Sequence, residues 1–372
     1  MKIFYSSISR KKIELYEEIA SGGEGRVYET DQPGMVAKIY IENSTERAKK
    51  LKVMVEHPPA IASVENGHVS LAWPTDLLER EDGECVGFLM PKIKDGKSLL
   101  NVYNHRLRKR LLPNCNWQYL HVMAQNLAFI LRSLHDRNYV VGDLKPDNIF
   151  VNGAGHISII DVDSFQILDP DTQKIYRCSF ASEEFTPPEM LGLNLPDVDR
   201  TEQQDRFGLA IIIWLLLLLG THPFSCTWLC DEEDPPSIDE RIKHGHWLHQ
   251  PDSPLAPAKT ATPLSIVHPD IQTLFHRCFT EGYRAISLRP SAQEWLQTLQ
   301  KAVADLTICP SVESHFLSKT VDVCHWCVME TQYGAAPFPG KTLIKASAQR
   351  HLLILKLPRC RRLLQYRRRR LK

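Results

Sequence analysis

Apolar positions along the chain alternate between two periods. Ile149-Phe-Val151 and Ile157-Ser-Ile-Ile160 are short β-branched runs separated by Asn152-Gly-Ala-Gly155, a pattern that predicts a β-hairpin. Over Trp117–Asn138, Tyr119, Val122, Met123, Leu127, Ile130 and Leu134 recur at helical spacing. A second helix is expected over Thr45–Glu56, with Leu51, Met54 and Val55 as its stripe and His57-Pro58-Pro59 as its stop. Leu209–Leu219 is apolar on every face, yet shorter than the roughly 20 residues a bilayer span needs. It reads as a helix buried on all sides. Nearer the N-terminus, Ile13–Ala20 and Met35–Tyr40 read as strands flanking a glycine turn, and Leu71–Pro74 and Cys85–Met90 as two more. Residues 225–270, rich in Pro, Asp and His, read as surface loop around a short helix.

Length and composition change this picture little. A chain of 372 residues with 43% hydrophobic positions holds two or three domains, or one large domain with extensions. Charge is informative only by position. Residues 341–372 carry twelve Lys/Arg and no Asp/Glu, which leaves 33 basic and 44 acidic side chains in the rest, a net of −11. Ten scattered Cys without a regular framework, no apolar leader and no transmembrane stretch lead us to expect a cytoplasmic protein.

The chemistry concentrates between residues 139 and 165. Asp143, Lys145 and Asn148 share one short loop, and the hairpin that follows delivers Asp161 beside it. Carboxylate and amide oxygens from Asn148 and Asp161 suit Mg²⁺ or Mn²⁺. Asp143 is placed to orient, or take the proton of, an attacking hydroxyl. Upstream, Ala20-Ser-Gly22-Gly23-Glu-Gly25-Arg-Val27 forms a turn whose glycines let backbone N–H groups approach phosphate oxygens. Lys38 follows on the next strand, thirteen residues after Gly25. His121 and His135 are expected at the surface or in caps. His222, His244, His246 and His249 have no ligand spacing.

The loop Val141-Gly142-Asp143-Leu-Lys145-Pro-Asp-Asn148, followed by Asp161-Val162-Asp163, resembles the H-R-D-L-x-x-x-N and D-F-G segments of protein kinases. Gly22, Gly25 and Val27 match the kinase glycine loop, with Ala20 in the place of its first Gly. The resemblance implies an α+β, two-lobed fold, with an N-lobe over residues 1–94 and a C-lobe over 95–305. It implies that Lys38 pairs the ATP phosphates and that the hinge Met90-Pro91-Lys92-Ile93 receives adenine, with Pro91 removing one donor. Kinases pair the strand lysine with a helix Glu; Glu46 and Glu56 are available here, but neither sits where that partner is expected. Ser182-Glu-Glu-Phe-Thr-Pro-Pro188-Glu189 resembles T-x-x-Y-x-A-P-E, which implies that the Ser182 hydroxyl ties to Asp143 and Lys145 and that the acceptor is Ser or Thr. Asp205 and Gly220-Thr-His-Pro-Phe224 match later kinase positions, and Arg289 is expected to pair with Glu189. Gly142 replaces the Arg that reads an activation-loop phosphate, so switching by that route is not expected.

Beyond residue 305 that pattern ends. Cys309, His315, Cys324 and Cys327 offer a Cys₃His set for structural Zn²⁺ in a short zinc-knuckle-like module over 306–332, with His325 as a competing ligand and free thiols as the alternative. Residues 333–372 form a basic tail suited to nucleic acid or anionic lipid. Trp73-Pro74, Gly87-Phe-Leu-Met-Pro91, Val141-Gly-Asp143, Ile160–Gln166 and the Cys/His cluster are similar to the bacterial YegI-like protein kinases over about residues 10–330. That resemblance implies a PP2C-type phosphatase and a von Willebrand A-domain protein as partners. The expected function is an ATP-dependent Ser/Thr protein kinase. The alternatives are a nucleotide-binding pseudokinase scaffold and a nucleic-acid adaptor acting through the tail.

Overall fold

The computed structural model describes residues 2–64, 67–230, 234–338 and 340. The basic tail from residue 341 onward lies outside them. The N-terminal part is an antiparallel barrel of β1 (Lys2–Ser6), β2 (Lys12–Ser21), β3 (Gly25–Thr30), β4 (Met35–Tyr40), β5 (Asp76–Glu79) and β6 (Cys85–Pro91). Its order is β1-β2-β3-β4-β6-β5, closed by pairing of β5 with β1. β1 was not expected from the sequence, because Lys2–Ser6 is too short to show alternation. The helix α1 (Thr45–Glu56) packs on this sheet through Leu51, Val53 and Met54.

The remainder is mostly helical. After the short β7 (Lys97–Ser98) come α2 (Leu100–Tyr103), α3 (His105–Leu111) and the long α4 (Trp117–His135). β8 (Ile149–Val151) and β9 (Ile157–Ile159) form the expected hairpin, and β7 joins its edge. The small hairpin β10 (Ile167–Leu168) and β11 (Ile175–Tyr176) follows. Next is α5 (Glu202–Leu217), opened by a capping box of Thr201 and Gln204 and buried at every position from Phe207 to Leu217. β12 (Thr227–Trp228) and β13 (Leu255–Ala256) bracket α6 (Ile238–Lys243). The chain then forms α7 (Pro269–His276), α8 (Gly282–Arg284) and α9 (Ala292–Ala304). α4 packs between α5 and α9, so its apolar residues form the centre of the core.

Three expectations are corrected. Leu71–Pro74 is not a strand of the barrel. Leu71 bridges Ile159, Ala72 donates to the Ile159 carbonyl at 3.0 Å, and the buried Trp73 donates from Nε1 to Met54 O at 2.9 Å. The segment is therefore spent on joining the two parts of the molecule. α4 ends at His135, three residues early, because the chain turns into the left-handed region at Asn138 (φ 56°). His121 and His135 are not surface residues. His121 is 1% exposed and hydrogen bonds Trp117 O through Nδ1, and the buried His135 ring meets Asp205 at 3.0 Å.

Candidate active site

A cavity of about 710 Å³ lies between the barrel and the helical part. Every residue assigned above to catalysis or nucleotide contact borders it: Ala20, Gly22, Gly23, Gly25, Val27, Lys38, Met90, Lys92, Asp143, Lys145, Asn148 and Asp161. Of the turn glycines, only Gly25 is sterically required. A Cβ there would meet Ile39 O at 2.6 Å, whereas at Gly22 it would make an ordinary contact with Gly25 O at 3.8 Å and at Gly23 it would face open space. At the hinge, the Lys92 N–H is already given to Gly34 O at 2.9 Å. Pro91 has no N–H, so Ile93 carries the next backbone donor on that edge, and it has no acceptor among the described residues.

Lys38 is 8% exposed in the middle of β4. Its Nζ lies 2.7 Å from Asp161 Oδ1 and 2.8 Å from both oxygens of Asp163. Burial alone would pull its ammonium down, but Asp163 and then Asp161 overcome that and hold it above the usual lysine range. The same contact works in reverse on Asp163. Burial there favours the neutral acid, yet Lys38 and the Tyr40 hydroxyl (2.8 Å) keep the carboxyl below its ordinary value. The partner sought on the helix is thus Asp163. Glu46 pairs with Lys174, and Glu56 lies 3.9 Å from Lys52. Asp163 and Tyr40 are the site residues that sequence reasoning missed. The available signal was a second carboxylate two residues after Asp161, in the place of a glycine.

Asp143 is 6% exposed. Its Oδ2 accepts from Lys145 Nζ at 2.6 Å, and its Oδ1 is buried with no hydrogen-bond partner. The loop is held from below by Asp205, whose oxygens accept from Val141 N (2.8 Å) and Gly142 N (2.9 Å). Gly142 adopts φ 75°, and a Cβ there would meet Arg200 Nη1 at 2.6 Å. The buried Arg200 guanidinium donates to Gly142 O and to Phe180 O, so it links the catalytic loop to the segment approaching Glu189. Ser182 makes no hydrogen bond to Asp143 or Lys145, contrary to what the resemblance implied. Its neighbours Phe180 and Ala181 border the cavity instead. Glu189 and Arg289 form the expected pair, with two contacts of 2.7 Å and an Arg289 side chain that is fully buried.

Past α9, β14 (Leu306–Ile308) and β15 (Phe316–Ser318) form a hairpin leading to α10 (His325–Tyr333). Here Cys309, His315, Cys324 and Cys327 bring their ligand atoms within 4.8 Å of one another. Cys309 Sγ lies 3.7 Å from Cys327 Sγ, and His315 Nδ1 lies 3.4 and 3.6 Å from the sulfurs of Cys327 and Cys324. Tetrahedral Zn²⁺ with Zn–S of about 2.3 Å needs edges of about 3.8 Å, so the donor set fits that ion. His315 Nε2 meets Phe338 O at 3.0 Å, which leaves Nδ1 as the ring's ligating atom. His325 is outside the group and packs on Trp326.

This is the layout of a bilobal phosphotransferase, in which a strand lysine and loop carboxylates converge on one cavity between a barrel and a helical body. The comparisons with known proteins agree. A family model described as "Protein kinase domain" matches residues 13–299. The chain is 31% identical over 324 residues to Protein kinase YegI of Escherichia coli K12, covering 86% of this chain and 49% of that protein. It is 30% identical over 321 residues to Protein kinase YegI of Escherichia coli O157:H7 (85% and 48%). Similarity also extends to "Probable serine/threonine-protein kinase pknA2" of Bifidobacterium longum, at 24% over 237 residues (63% and 29%). The chain belongs to the protein kinase family and is YegI-like. It spans about half the length of the YegI proteins it matches. Among the described residues, no helix is long and apolar enough to cross a membrane.

Proposed function

We propose that this chain transfers the γ-phosphoryl group of ATP to a Ser or Thr hydroxyl of a protein. The observation that carries the reading is one cavity whose wall holds Asp143 together with Lys38, Lys145, Asn148 and Asp161. In this reading the Asp143 carboxylate accepts the substrate hydroxyl, while Lys145, 2.6 Å from Oδ2, fixes the carboxylate and screens the moving phosphoryl. Lys38 binds the α- and β-phosphates, with Asp163 holding its ammonium in place. The hard oxygen donors of Asn148 and Asp161 fit Mg²⁺ or Mn²⁺, which supplies charge neutralisation at the β- and γ-phosphates. Structural Zn²⁺ on Cys309, His315, Cys324 and Cys327 would secure the C-terminal module against the core.

The test is transfer from labelled ATP with Mg²⁺ or Mn²⁺, to the chain itself and to a generic basic protein. Wild type should label Ser or Thr. Asp143→Asn should lose about 10²–10⁴-fold in rate while keeping nucleotide binding. Equal rates in wild type and Asp143→Asn would refute the mechanism. A pseudokinase has one observation in its favour: the contact of Lys38 with Asp161 engages the carboxylate that the metal needs. Nucleotide-dependent stabilisation with no transfer in either metal would establish that second reading.

A further inference from the structure

Acidic side chains outnumber basic ones over residues 1–340, 44 against 33, yet they are absent from one long stretch of that body. Residues 96–135 hold six Lys/Arg and no Asp or Glu. Four of the six fall in the short helix α3, as Arg106, Arg108, Lys109 and Arg110. They divide by face. Arg108 is 1% exposed and turned inward. It donates to Val102 O at 2.9 Å and to Pro337 O at 3.3 Å, with its guanidinium 5.0 Å from the centre of the Phe338 ring. Arg106, Lys109 and Arg110 are exposed, and their side chains make no hydrogen bond or ion pair among the described residues.

Three cations spaced i, i+3 and i+4 stand together on one side of a helix, and like charges at that spacing repel. α3 carries no carboxylate to relieve them. Their field reaches His105, whose ring is pulled below its ordinary value by burial and then by Arg108, Lys109 and Arg106. The described chain also ends beside this helix. The tail from residue 341, with twelve Lys/Arg and no Asp/Glu, begins three residues past the Phe338 that Arg108 holds. One helix therefore anchors the root of the tail with its inner face and presents unpaired cations on its outer face.

We propose that the outer face of α3 binds the sugar-phosphate backbone of nucleic acid, with Arg106, Lys109 and Arg110 on successive phosphates and the tail extending the contact. A strand of duplex repeats a negative charge about every 3.4 Å along its axis, so neighbouring cations on one helix face meet neighbouring phosphates. Arginine adds a planar fork that fits two phosphate oxygens. A lipid surface fits less well, because it needs apolar side chains among the cations to enter the headgroup layer. The exposed positions here, Asn104, Arg106, Lys109, Arg110, Pro113 and Asn114, offer no large apolar side chain. α3 contains no Phe, Tyr or Trp on which a base could stack, so the contact is with backbone and carries no sequence preference. None of these residues borders the cavity between the barrel and the helical part, and the proposal stands apart from the kinase reading.

The experiment is fluorescence anisotropy of a labelled duplex DNA of mixed sequence titrated with the full chain, repeated over a range of potassium chloride. Wild type should bind, with the logarithm of affinity falling linearly as the logarithm of salt rises. Replacing Arg106, Lys109 and Arg110 together by Gln should make that slope shallower by about 2.7, at about 0.9 per phosphate contact, and should weaken binding about 10²-fold near physiological salt. Each single replacement should account for about 0.9, so the test survives if the triple variant folds poorly by circular dichroism. Lys11→Gln, Lys12→Gln and Lys243→Gln together remove the same charge from exposed positions elsewhere and should keep the wild-type slope. α3 variants with the wild-type slope would leave the tail as the whole binding surface and overturn the proposal. An equal loss in the control variant would make net charge the cause and overturn it too. So would a wild type that binds no DNA, including one that binds phosphatidylglycerol vesicles instead.

Discussion

Replacing Asp163 by Asn keeps the shape of the side chain that grips Lys38 and removes its charge. The amide oxygen can still accept from Tyr40 and Lys38, so the variant isolates the Coulombic part of a contact made at 2.8 Å. At that distance a unit charge pair is worth about 6 kcal/mol at an effective dielectric constant of about 20. Two effects reduce it. The variant recovers the desolvation of a buried carboxylate, and Asp161 at 2.7 Å still neutralises Lys38 in part. A loss of about 3 kcal/mol remains, the lower edge of what breaking a buried pair costs. The assay is urea unfolding followed by tryptophan fluorescence, because Trp73 packs beside this region against Phe165. The pH dependence supplies an internal check. The folded Asp163 carboxyl is depressed, so its stabilisation is full above the unfolded carboxyl range near 4 and is lost as pH falls through the lower folded value. Lys38 is raised, so its share is full below about 10.4 and is lost only as pH rises beyond that. The difference between wild type and Asp163→Asn should therefore be flat from about pH 5 to 10 and shrink in acid. A deficit under about 1 kcal/mol, or one that grows as pH falls below 4, would refute the assignment of Asp163 as the partner of Lys38.

Arg289→Met should leave Glu189 half-buried without its cation and cost about 3–5 kcal/mol, read as a lowered urea midpoint with the same slope. Metal analysis should find about one Zn per chain, and Cys327→Ser should lose both that metal and protease resistance over residues 306–338. His121 and His222 are buried, and burial pulls each ring down to about 4. The unfolded rings bind protons first, so stability should fall as pH drops from about 6.5 to about 4, by about 3 kcal/mol for each ring. His121→Gln should flatten that slope in an acid titration of the unfolding free energy. Gly142→Arg should fold poorly, because its side chain would enter the space of the Arg200 guanidinium, and reduced soluble yield with an early thermal midpoint would show it.

The parts of this molecule that were legible in the sequence are those whose signal is local. The hairpin β8–β9, the helix α1 with its proline stop, and the all-round apolar α5 each declare themselves within about a dozen residues. The cavity-lining residues were legible because one loop and one glycine turn carry them at fixed spacing. What escaped depends on residues far apart in the chain. β1 matters only because it closes the barrel against β5. Leu71–Pro74 has the composition of a strand, and its role appears only when Ile159 arrives from the other part of the molecule. His121 was misjudged because a polar residue on a helix is usually solvated, whereas here the Trp117 ring packs edge-on against it at 4.4 Å. At the C-terminus the spacing left His315 and His325 in competition, and only the hairpin β14–β15 turns the first of them toward Cys324 and Cys327.

The departures from the kinase pattern become coherent when they are read in space and not along the chain. The sequence shows a missing helix Glu and, separately, an Asp in the place of a Gly. The structure makes these one change, since Asp163 holds the Lys38 ammonium for which α1 supplies no carboxylate, and α1 presents Lys50 to that neighbourhood instead. The Arg missing at position 142 is likewise matched by Arg200, whose guanidinium occupies the space that a Cβ at 142 would need. The chemistry of that replacement differs from the original. Arg200 donates from Nη1 and Nη2 to two backbone carbonyls, Gly142 O and Phe180 O, so it joins the loop to that segment through protein groups alone, with its Nε left without a partner. A charge swap at one position and its compensation at another leave Lys38, Asp143, Lys145, Asn148 and Asp161 on one cavity wall. Pattern drift around Asp143 and Asp161 is therefore better evidence for a changed way of holding the active arrangement than for its loss.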